Sequence, residues 1–307
     1  MRSTIGIVLN VAAFALCVAV LFVANPARAV VDCGLNDPIY AADPRLRGSM
    51  CEEVAVVPIR WSRGEARMRV VRTIDADVER GMNATAWIRE SASRIGSALD
   101  VLGSDYRLGQ ITVVITNQPP LPIPAYGLTA YAFAYHKDRP GDCIVPVYPP
   151  THHIESEREM AGFVFAHEIF HCAQFATWPE HTRSADHRWW MEGSAEYFAN
   201  TAYPGPHAHV TPQVHGFDAR SPDTSLLNMT YENFVLFAWL YESGGAARFR
   251  YFLQHMATVP AMEQRAAAES ALGPEVWLDF AERYLDRRLH YAGGASLDSH
   301  PVLTPEY

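Results

Sequence analysis

The sequence HEIFH, residues 167–171, contains two histidines four positions apart with a glutamate directly after the first. The apolar residues around it have the spacing of a helix buried in a protein core. On a helix, residues four apart differ by about 40° in direction, so His167 and His171 can point at one metal ion. Glu168 is rotated by about 100° and lies beside that ion, where it can take a proton from water. The pattern predicts a zinc site with a general base; the alternative is two hydrogen-bonded core histidines.

A catalytic zinc ion usually has three protein ligands and keeps a fourth position open. The segment MEGSAEY supplies a third candidate in Glu192, near the start of a second predicted helix. Glu196 is one turn further on the same face, and we expect it to orient a ligand histidine through the free ring N–H. The alternative for both glutamates is a solvated helix face. The tryptophans and other aromatic residues around them argue against it, because a carboxylate in apolar surroundings needs a cation or a donor.

These two motifs together resemble those of the gluzincin metallopeptidases, in particular the thermolysin and aminopeptidase-N types. The sequence looks closest to secreted bacterial proteins described as peptidase-MA-like, over roughly residues 140–245. The resemblance implies a zincin-like fold and one zinc ion per chain, held by His167, His171 and Glu192. It also implies that Glu168 is the general base for hydrolysis of peptide bonds.

A further match begins at Tyr231, where the sequence Tyr-Glu-Asn-Phe resembles the Tyr-Glu-Lys-Gly segment of the aminopeptidase-N type. In that type the tyrosine steadies the oxyanion, so the resemblance implies a catalytic role for Tyr231. The alternative is an aromatic residue that only anchors the start of a helix. For His207, His209 and His215, which are in the preceding loop, a solvated or structural role is the better interpretation.

The sequence also departs from these families. The Gly-x-Met-Glu-Asn motif, which reads the free amine in aminopeptidases, is not seen, so the resemblance favours an endopeptidase. Met191 replaces the asparagine that usually precedes the ligand glutamate. Two other functions stay open: a zinc-dependent hydrolase of a non-peptide substrate, and an inactive zinc-binding module that recognises peptides. A disulfide-stabilised structural protein without metal is a further alternative.

The elements that must position these residues form an α+β pattern. A helix is predicted over 75–103, a strand over 110–116, and two short strands in LTAYAFAYH and CIVPVYPP. Pro146 predicts that the second of these is an edge strand, which would border the cleft. Helices follow over 155–177, 187–203, 231–245, 246–258 and 274–290, whereas residues 30–66 and 203–229 read as irregular. We therefore expect a small mixed sheet with an edge strand over the catalytic helix, followed by a mainly helical lobe.

The first 29 residues have the pattern of a secretory signal peptide, with a long apolar run before Ala-Arg-Ala. The alternative is an uncleaved membrane anchor. Cys17 lies in this segment, and the other four cysteines predict two disulfides in an oxidising compartment. We expect Cys33 to pair with Cys51, and Cys143 with Cys172. A cysteine zinc site is the competing interpretation, but no Cys-x-x-Cys spacing supports it.

The predicted organisation has three parts: a signal peptide over 1–29, an α/β lobe over 30–176 and a helical lobe over 177–307. The chain has a net charge of −9 and no basic stripe, which argues against nucleic acid and anionic membrane surfaces as partners. We expect a periplasmic or secreted protein, with a peptide or protein substrate and no membrane contact after signal cleavage. The sequence does not indicate an oligomeric state.

Overall fold

A computed structural model of the chain describes residues 30–33, 44–103, 105–123, 128–130, 132–136, 141–149, 155–179, 185–206 and 210–297. The predicted signal peptide, together with His207 and His209, lies outside these residues. Among the helices within them, none combines the length and the hydropathy that a membrane crossing requires.

The described strands form one mixed sheet and one small hairpin. The strands are β1 (Val30–Asp32), β2 (Met50–Trp61), β3 (Gly64–Thr73), β4 (Ile111–Ile115), β5 (Leu121–Ile123), β6 (Leu128–Ala130), β7 (Tyr135–His136) and β8 (Cys143–Val147). The sheet has the order β1-β2-β3-β4-β8-β7, and β5 pairs with β6. The pairs β3–β4 and β4–β8 are parallel and the other pairs are antiparallel.

The helices are α1 (Val78–Val101), α2 (Glu155–Thr177), α3 (Arg188–Ala202), α4 (Thr211–Arg220), α5 (Phe234–Ala257), α6 (Gln264–Leu272) and α7 (Pro274–Leu285). The predicted α+β class, with a small mixed sheet followed by a mainly helical part, is confirmed. The two helices predicted over 231–245 and 246–258 are one element with a break at Gly245, where φ is 61° and ψ is −162°. The division into lobes at residue 176 stays a prediction.

The prediction that residues 30–66 are irregular is wrong, because β2 and β3 form a long hairpin across a two-residue connection. Pro58 lies inside β2, and a proline within a run of residues usually argues against a strand. However, β1 pairs only with residues 50–52 of β2, so Pro58 lies where the described sheet has no neighbour on that side. At such an edge position a missing N–H breaks no ladder hydrogen bond.

The prediction that residues 203–229 are irregular is also wrong in part, because this segment contains α4. The segment is rich in glycine, histidine and proline, which suggested a loop. It nevertheless contains a short helix that buries Val214 and Phe217. The other two buried side chains of this helix, Gln213 and Asp218, are polar, so its apolar periodicity is weak.

Pro146 does not make β8 an edge strand, as the sequence predicted. β8 lies between β4 and the segment 132–136, which contains β7 and forms the edge of the described sheet. The Val147 carbonyl accepts from Thr116 on the β4 side, whereas the Pro146 carbonyl accepts from the Phe133 N–H on the other side. Backbone groups alternate along a strand, so the missing N–H of Pro146 costs no hydrogen bond to β4.

α2 is the central helix of the molecule, packed against α1, α3 and β8. From residue 161 to 175 its side chains are buried except for Glu168, which is half-buried. A helix that is apolar on all sides belongs in a core, so its few polar side chains need partners inside the protein. The opposite face of the sheet carries a second, smaller cluster that includes Cys33, Cys51 and Tyr148.

The two disulfides have the predicted pairing. Cys33 is bonded to Cys51 on the outer face of the sheet, with the Cα atoms 5.1 Å apart. Cys143 is bonded to Cys172, with the Cα atoms 5.6 Å apart. The second bridge joins the first residue of β8 to the residue directly after His171. It therefore ties the HEIFH helix to the sheet at one of the candidate metal ligands.

Removing the Cys143–Cys172 bridge is expected to weaken zinc binding as well as folding. The loops closed by the two bridges are similar, and chain entropy predicts about 3–4 kcal/mol of stabilisation from each. The double variant Cys33→Ala/Cys51→Ala is therefore a matched control for stability. Zinc affinity and the free energy of unfolding should both be measured. If the two double variants lose zinc affinity equally, the position of the bridge beside His171 has no particular role.

Candidate metal centre

Two elements bring the chemically reactive side chains together. α2 supplies His167, Glu168 and His171, and α3, which packs along it, supplies Glu192 and Glu196. His167, His171 and Glu196 are buried, whereas Glu192 and Glu168 are partly exposed. The centre is therefore closed on the side of the two helices and open beside the two partly exposed carboxylates.

The three predicted metal ligands converge on one point. The Nε2 atoms of His167 and His171 are 3.0 Å apart. Glu192 Oε2 lies 3.1 Å from His167 Nε2 and 3.2 Å from His171 Nε2. Within the part of the chain described by the structure, these three side chains form a group whose ligand atoms all lie within 4.8 Å of one another, close enough to hold one metal ion.

The protons of both imidazoles are fixed by partners on the far side of each ring. The Glu196 carboxylate lies 2.9 Å from His167 Nδ1. A carboxylate only accepts, so His167 carries its proton on Nδ1. Gln174 Oε1 lies 2.7 Å from His171 Nδ1. The Gln174 amide nitrogen donates to the Met191 carbonyl at 3.1 Å, which fixes the orientation of the amide. His171 Nδ1 is therefore also a donor.

With both Nδ1 atoms directed at their outer partners, the two Nε2 atoms and Glu192 Oε2 face each other across 3.0–3.2 Å. Positive charge among the three atoms, from a proton or from a metal ion, stabilises such an arrangement. A tetrahedral zinc ion with bonds of about 2.0–2.1 Å holds its ligand atoms roughly 3.3–3.4 Å apart. The donor set and its spacing therefore fit zinc and leave a fourth position for water or substrate.

The electrostatics of the site agree with this geometry. Burial lowers the pKa of the His167 imidazole, but Glu192 and Glu196 outweigh burial and raise that pKa to about 10. Burial raises the pKa of the Glu192 carboxyl, but the histidines outweigh burial and hold that pKa well below its usual range. Both shifts show that the surroundings favour positive charge between these side chains.

Glu168 is held by the edge of the sheet. The Ala134 N–H donates to Glu168 Oε2 at 2.6 Å. Phe133 directs its N–H to Pro146 in β8, so Ala134 directs its own N–H away from the sheet, towards Glu168. Burial raises the pKa of the Glu168 carboxyl, and His167 and His171 partly offset that rise. A raised pKa suits a carboxylate that takes up a proton and later releases it.

Tyr231 lies against the metal centre. Its ring centroid is 5.7 Å from that of His167, with an angle of 36° between the planes. Tyr231 begins a short 3-10 turn, Tyr231–Asn233, directly before α5. In that turn the buried Asn233 donates to the Trp189 carbonyl of α3 at 3.0 Å. The turn that presents Tyr231 is thus tied to the helix that presents Glu192.

Gly193 allows this close approach. A Cβ atom at Gly193 would lie 2.7 Å from the Cβ of Asn233 and 3.0 Å from its carbonyl carbon, too close for any larger residue. Close packing against Asn233 therefore requires a glycine directly after the ligand glutamate. It lets the turn at Tyr231 sit directly on α3.

The structure brings together all six residues that the sequence proposed for the site: His167, Glu168, His171, Glu192, Glu196 and Tyr231. His215 lies on α4 and is not part of the metal-ligating group in the described residues. Sequence reasoning missed Gln174 and Ala134. Gln174 had a visible signal, since it is a lone amide in an apolar helix, three residues after His171. Ala134 acts through its backbone, which leaves no trace in the sequence.

No known protein family matches the sequence, and no curated protein does so either. The structure is similar to crystal structures of an M1 zinc metallopeptidase from Deinococcus radiodurans. One is 14% identical over 84% of this chain and 54% of the other, with a TM-score of 0.45. A mutant bound to a Tyr-Ser-Ala substrate gives 14% over 83% and 54%, also with a TM-score of 0.45. The chain spans about half the length of these structures.

Proposed function

We propose that this chain is a zinc-dependent metallopeptidase that cleaves peptide bonds with water, using Glu168 as the general base. One observation carries the proposal. Three ligand atoms, from His167, His171 and Glu192, face each other at 3.0–3.2 Å, and hydrogen bonds behind both rings hold their orientation.

His167, His171 and Glu192 would hold the zinc ion, which would supply a Lewis acid that lowers the pKa of water and polarises a carbonyl oxygen. Glu168 takes the proton from the attacking water and passes it to the leaving amine. The Ala134 N–H keeps one oxygen of that carboxylate in place. The other oxygen is then free to exchange the proton.

Tyr231 is proposed to donate a hydrogen bond to the oxyanion that forms on the substrate carbonyl. Tyr231→Phe is expected to lower the turnover number by about 10²–10³-fold, because a donor to the oxyanion strengthens as charge develops there. The Michaelis constant should change little, since substrate binding is not affected. Steady-state kinetics with one peptide substrate measures both values.

The control for Tyr231→Phe is Tyr241→Phe, which removes a hydroxyl from a tyrosine of α5 that packs against Tyr197. Both variants should keep the zinc content and melting temperature of the wild type. A turnover number within a few-fold of wild type for Tyr231→Phe would make this tyrosine a packing residue. Loss of activity in Tyr241→Phe alone would assign the donor to α5 instead.

The proposed substrate is an extended peptide lying along the edge segment 132–136. This segment is the last in the sheet order, and Ala134 directs its backbone to the side where Glu168 lies. A peptide can add to such an edge by main-chain hydrogen bonds. Residues 128–136, along which the peptide is proposed to lie, contain no acidic residue that could bind a free N-terminal ammonium. On this basis we propose that the enzyme is an endopeptidase.

We place this activity outside the cytoplasm, in the periplasm or the medium. The signal-peptide pattern of residues 1–29 supports this location, as do the two disulfides, which form and persist in oxidising compartments. The proposed complement of the enzyme is one zinc ion per chain.

The experiment is a digest of a peptide library by the purified protein, with and without a zinc chelator. Cleavage inside peptides that stops with the chelator and returns with added zinc supports the proposal. Cleavage only at the first residue would make the protein an aminopeptidase. Hydrolysis of generic esters but not peptides would indicate a non-peptide substrate. Zinc binding without any hydrolysis would indicate a recognition module.

A further inference from the structure

A single amide connects the second metal ligand to the helix that carries the third. Gln174 is fully buried on α2, three residues after His171. Its Oε1 accepts from His171 Nδ1 at 2.7 Å. Its Nε2 donates to the Met191 carbonyl at 3.1 Å and to Ser194 Oγ at 2.9 Å, both on α3. Met191 directly precedes Glu192 in the sequence.

The direction of every bond in this group follows from its chemistry. A backbone carbonyl only accepts, so the nitrogen of the amide must face Met191 and the oxygen must face His171. Ser194 Oγ donates to the same Met191 carbonyl at 3.2 Å, so it accepts from Gln174. The amide uses both of its N–H groups and its oxygen. No other arrangement satisfies all these atoms inside the core.

We propose that Gln174 is a positioning residue that sets the separation of His171 and Glu192 and keeps the lone pair of His171 Nε2 directed at the metal. The inference rests on the proposed zinc site. It assigns different supports to the two histidines. His167 is oriented by the Glu196 carboxylate, whereas His171 is oriented by a neutral amide that also binds the neighbouring helix.

An amide is the side chain that fits this place. Glutamate has the same shape and accepts from His171, but its second oxygen faces the Met191 carbonyl, and two acceptors at about 3 Å repel each other. Methionine fills a similar volume but leaves the His171 N–H and the Met191 carbonyl without a partner in the core. The His171 proton can then move to Nε2, where it competes with zinc.

The test compares Gln174→Met and Gln174→Glu with the wild type. Zinc affinity is measured by competition with a chelator, and the visible spectrum of the Co²⁺-loaded protein reports the geometry of the ligands. Loss of an outer hydrogen-bond partner typically weakens metal binding by about 10–100-fold. We expect Gln174→Met to weaken zinc binding by a factor in this range and to alter the Co²⁺ spectrum. Gln174→Glu, which retains the acceptor for His171, is expected between Gln174→Met and the wild type.

The matched control is Gln264→Met, because Gln264 is also a buried amide, bonded to the Trp189 side chain from α6. It should lower the melting temperature while zinc affinity stays within about threefold of wild type, which separates a loss of stability from a loss of ligand position. A folded Gln174→Met or Gln174→Glu protein with wild-type zinc affinity and Co²⁺ spectrum overturns the inference and leaves the proposed function intact. A wild type that binds no zinc overturns both.

Discussion

Replacing Glu168 by Gln is expected to lower the turnover number by about 10²–10⁴-fold while the protein keeps its zinc. The amide has the shape of the carboxylate but cannot accept the proton of the attacking water. The three ligand atoms come from His167, His171 and Glu192, so metal binding does not require the Glu168 carboxylate. The Ala134 N–H can still donate to the amide oxygen, which preserves the local packing.

The control for this variant is Glu159→Gln, an exposed residue on the same helix. It makes the same chemical change on the helix surface and should leave activity and zinc content unchanged. Zinc content is measured by elemental analysis and the turnover number with a peptide substrate. A Glu168→Gln protein that loses zinc as readily as a ligand variant would show that Glu168 is a ligand and not a base.

Replacing either metal histidine by Ala is expected to remove zinc and, with it, activity. His167→Ala and His171→Ala each leave two ligand atoms where a catalytic zinc site needs three. Zinc affinity should fall by more than the roughly 10–100-fold that the loss of an outer partner costs. Hydrolysis should fall to the background of the assay at any zinc concentration that leaves the variant unloaded.

His255→Ala is the control for the ligand variants, because His255 lies on α5 against Tyr251, away from the metal-ligating group. It should retain zinc and activity. Circular dichroism of the metal-free proteins tests whether the ligand variants are folded. If folded His167→Ala and His171→Ala proteins bind zinc as tightly as the wild type, the assignment of these two ligands is wrong.

The sequence predicted which side chains lie together at the candidate metal centre, because their spacing follows from helix geometry. HEIFH places two imidazoles on one face of α2, and MEGSAEY places two carboxylates one turn apart on α3. The spacing does not show that α2 packs against α3. The apolar residues around both motifs indicate that the two helices are buried, which favours this packing.

The sequence predicted the sheet less well, because its strands depend on contacts far apart in the chain. Pro146 predicted an edge strand, and Pro58 lies in the stretch that was predicted to be irregular. In the structure, Pro58 lies where the described sheet has no neighbour on one side, whereas the missing N–H of Pro146 faces the segment 132–136 and costs no hydrogen bond to β4. The edge that borders the site is the segment 132–136, whose short strand β7 is defined by its pairing with β8.

The hydrogen-bond partners of the metal ligands and of Glu168 also differ in how well the sequence predicts them. Glu196 was predictable because it is one turn from Glu192 on the same helix. The Ala134 N–H was not predictable, since any residue except proline provides the same donor. Gln174 had a local signal, but its bonds to Met191 and Ser194 exist only because α3 packs on α2.

The zinc content of the purified wild-type protein tests the central claim most directly. After dialysis against metal-free buffer, elemental analysis should find about one zinc ion per chain, because two imidazoles and a carboxylate converge with an open fourth position. Treatment with a chelator should remove that zinc, and added zinc should restore it together with hydrolysis. A folded protein that contains no zinc, and takes up none when zinc is added, would contradict the account.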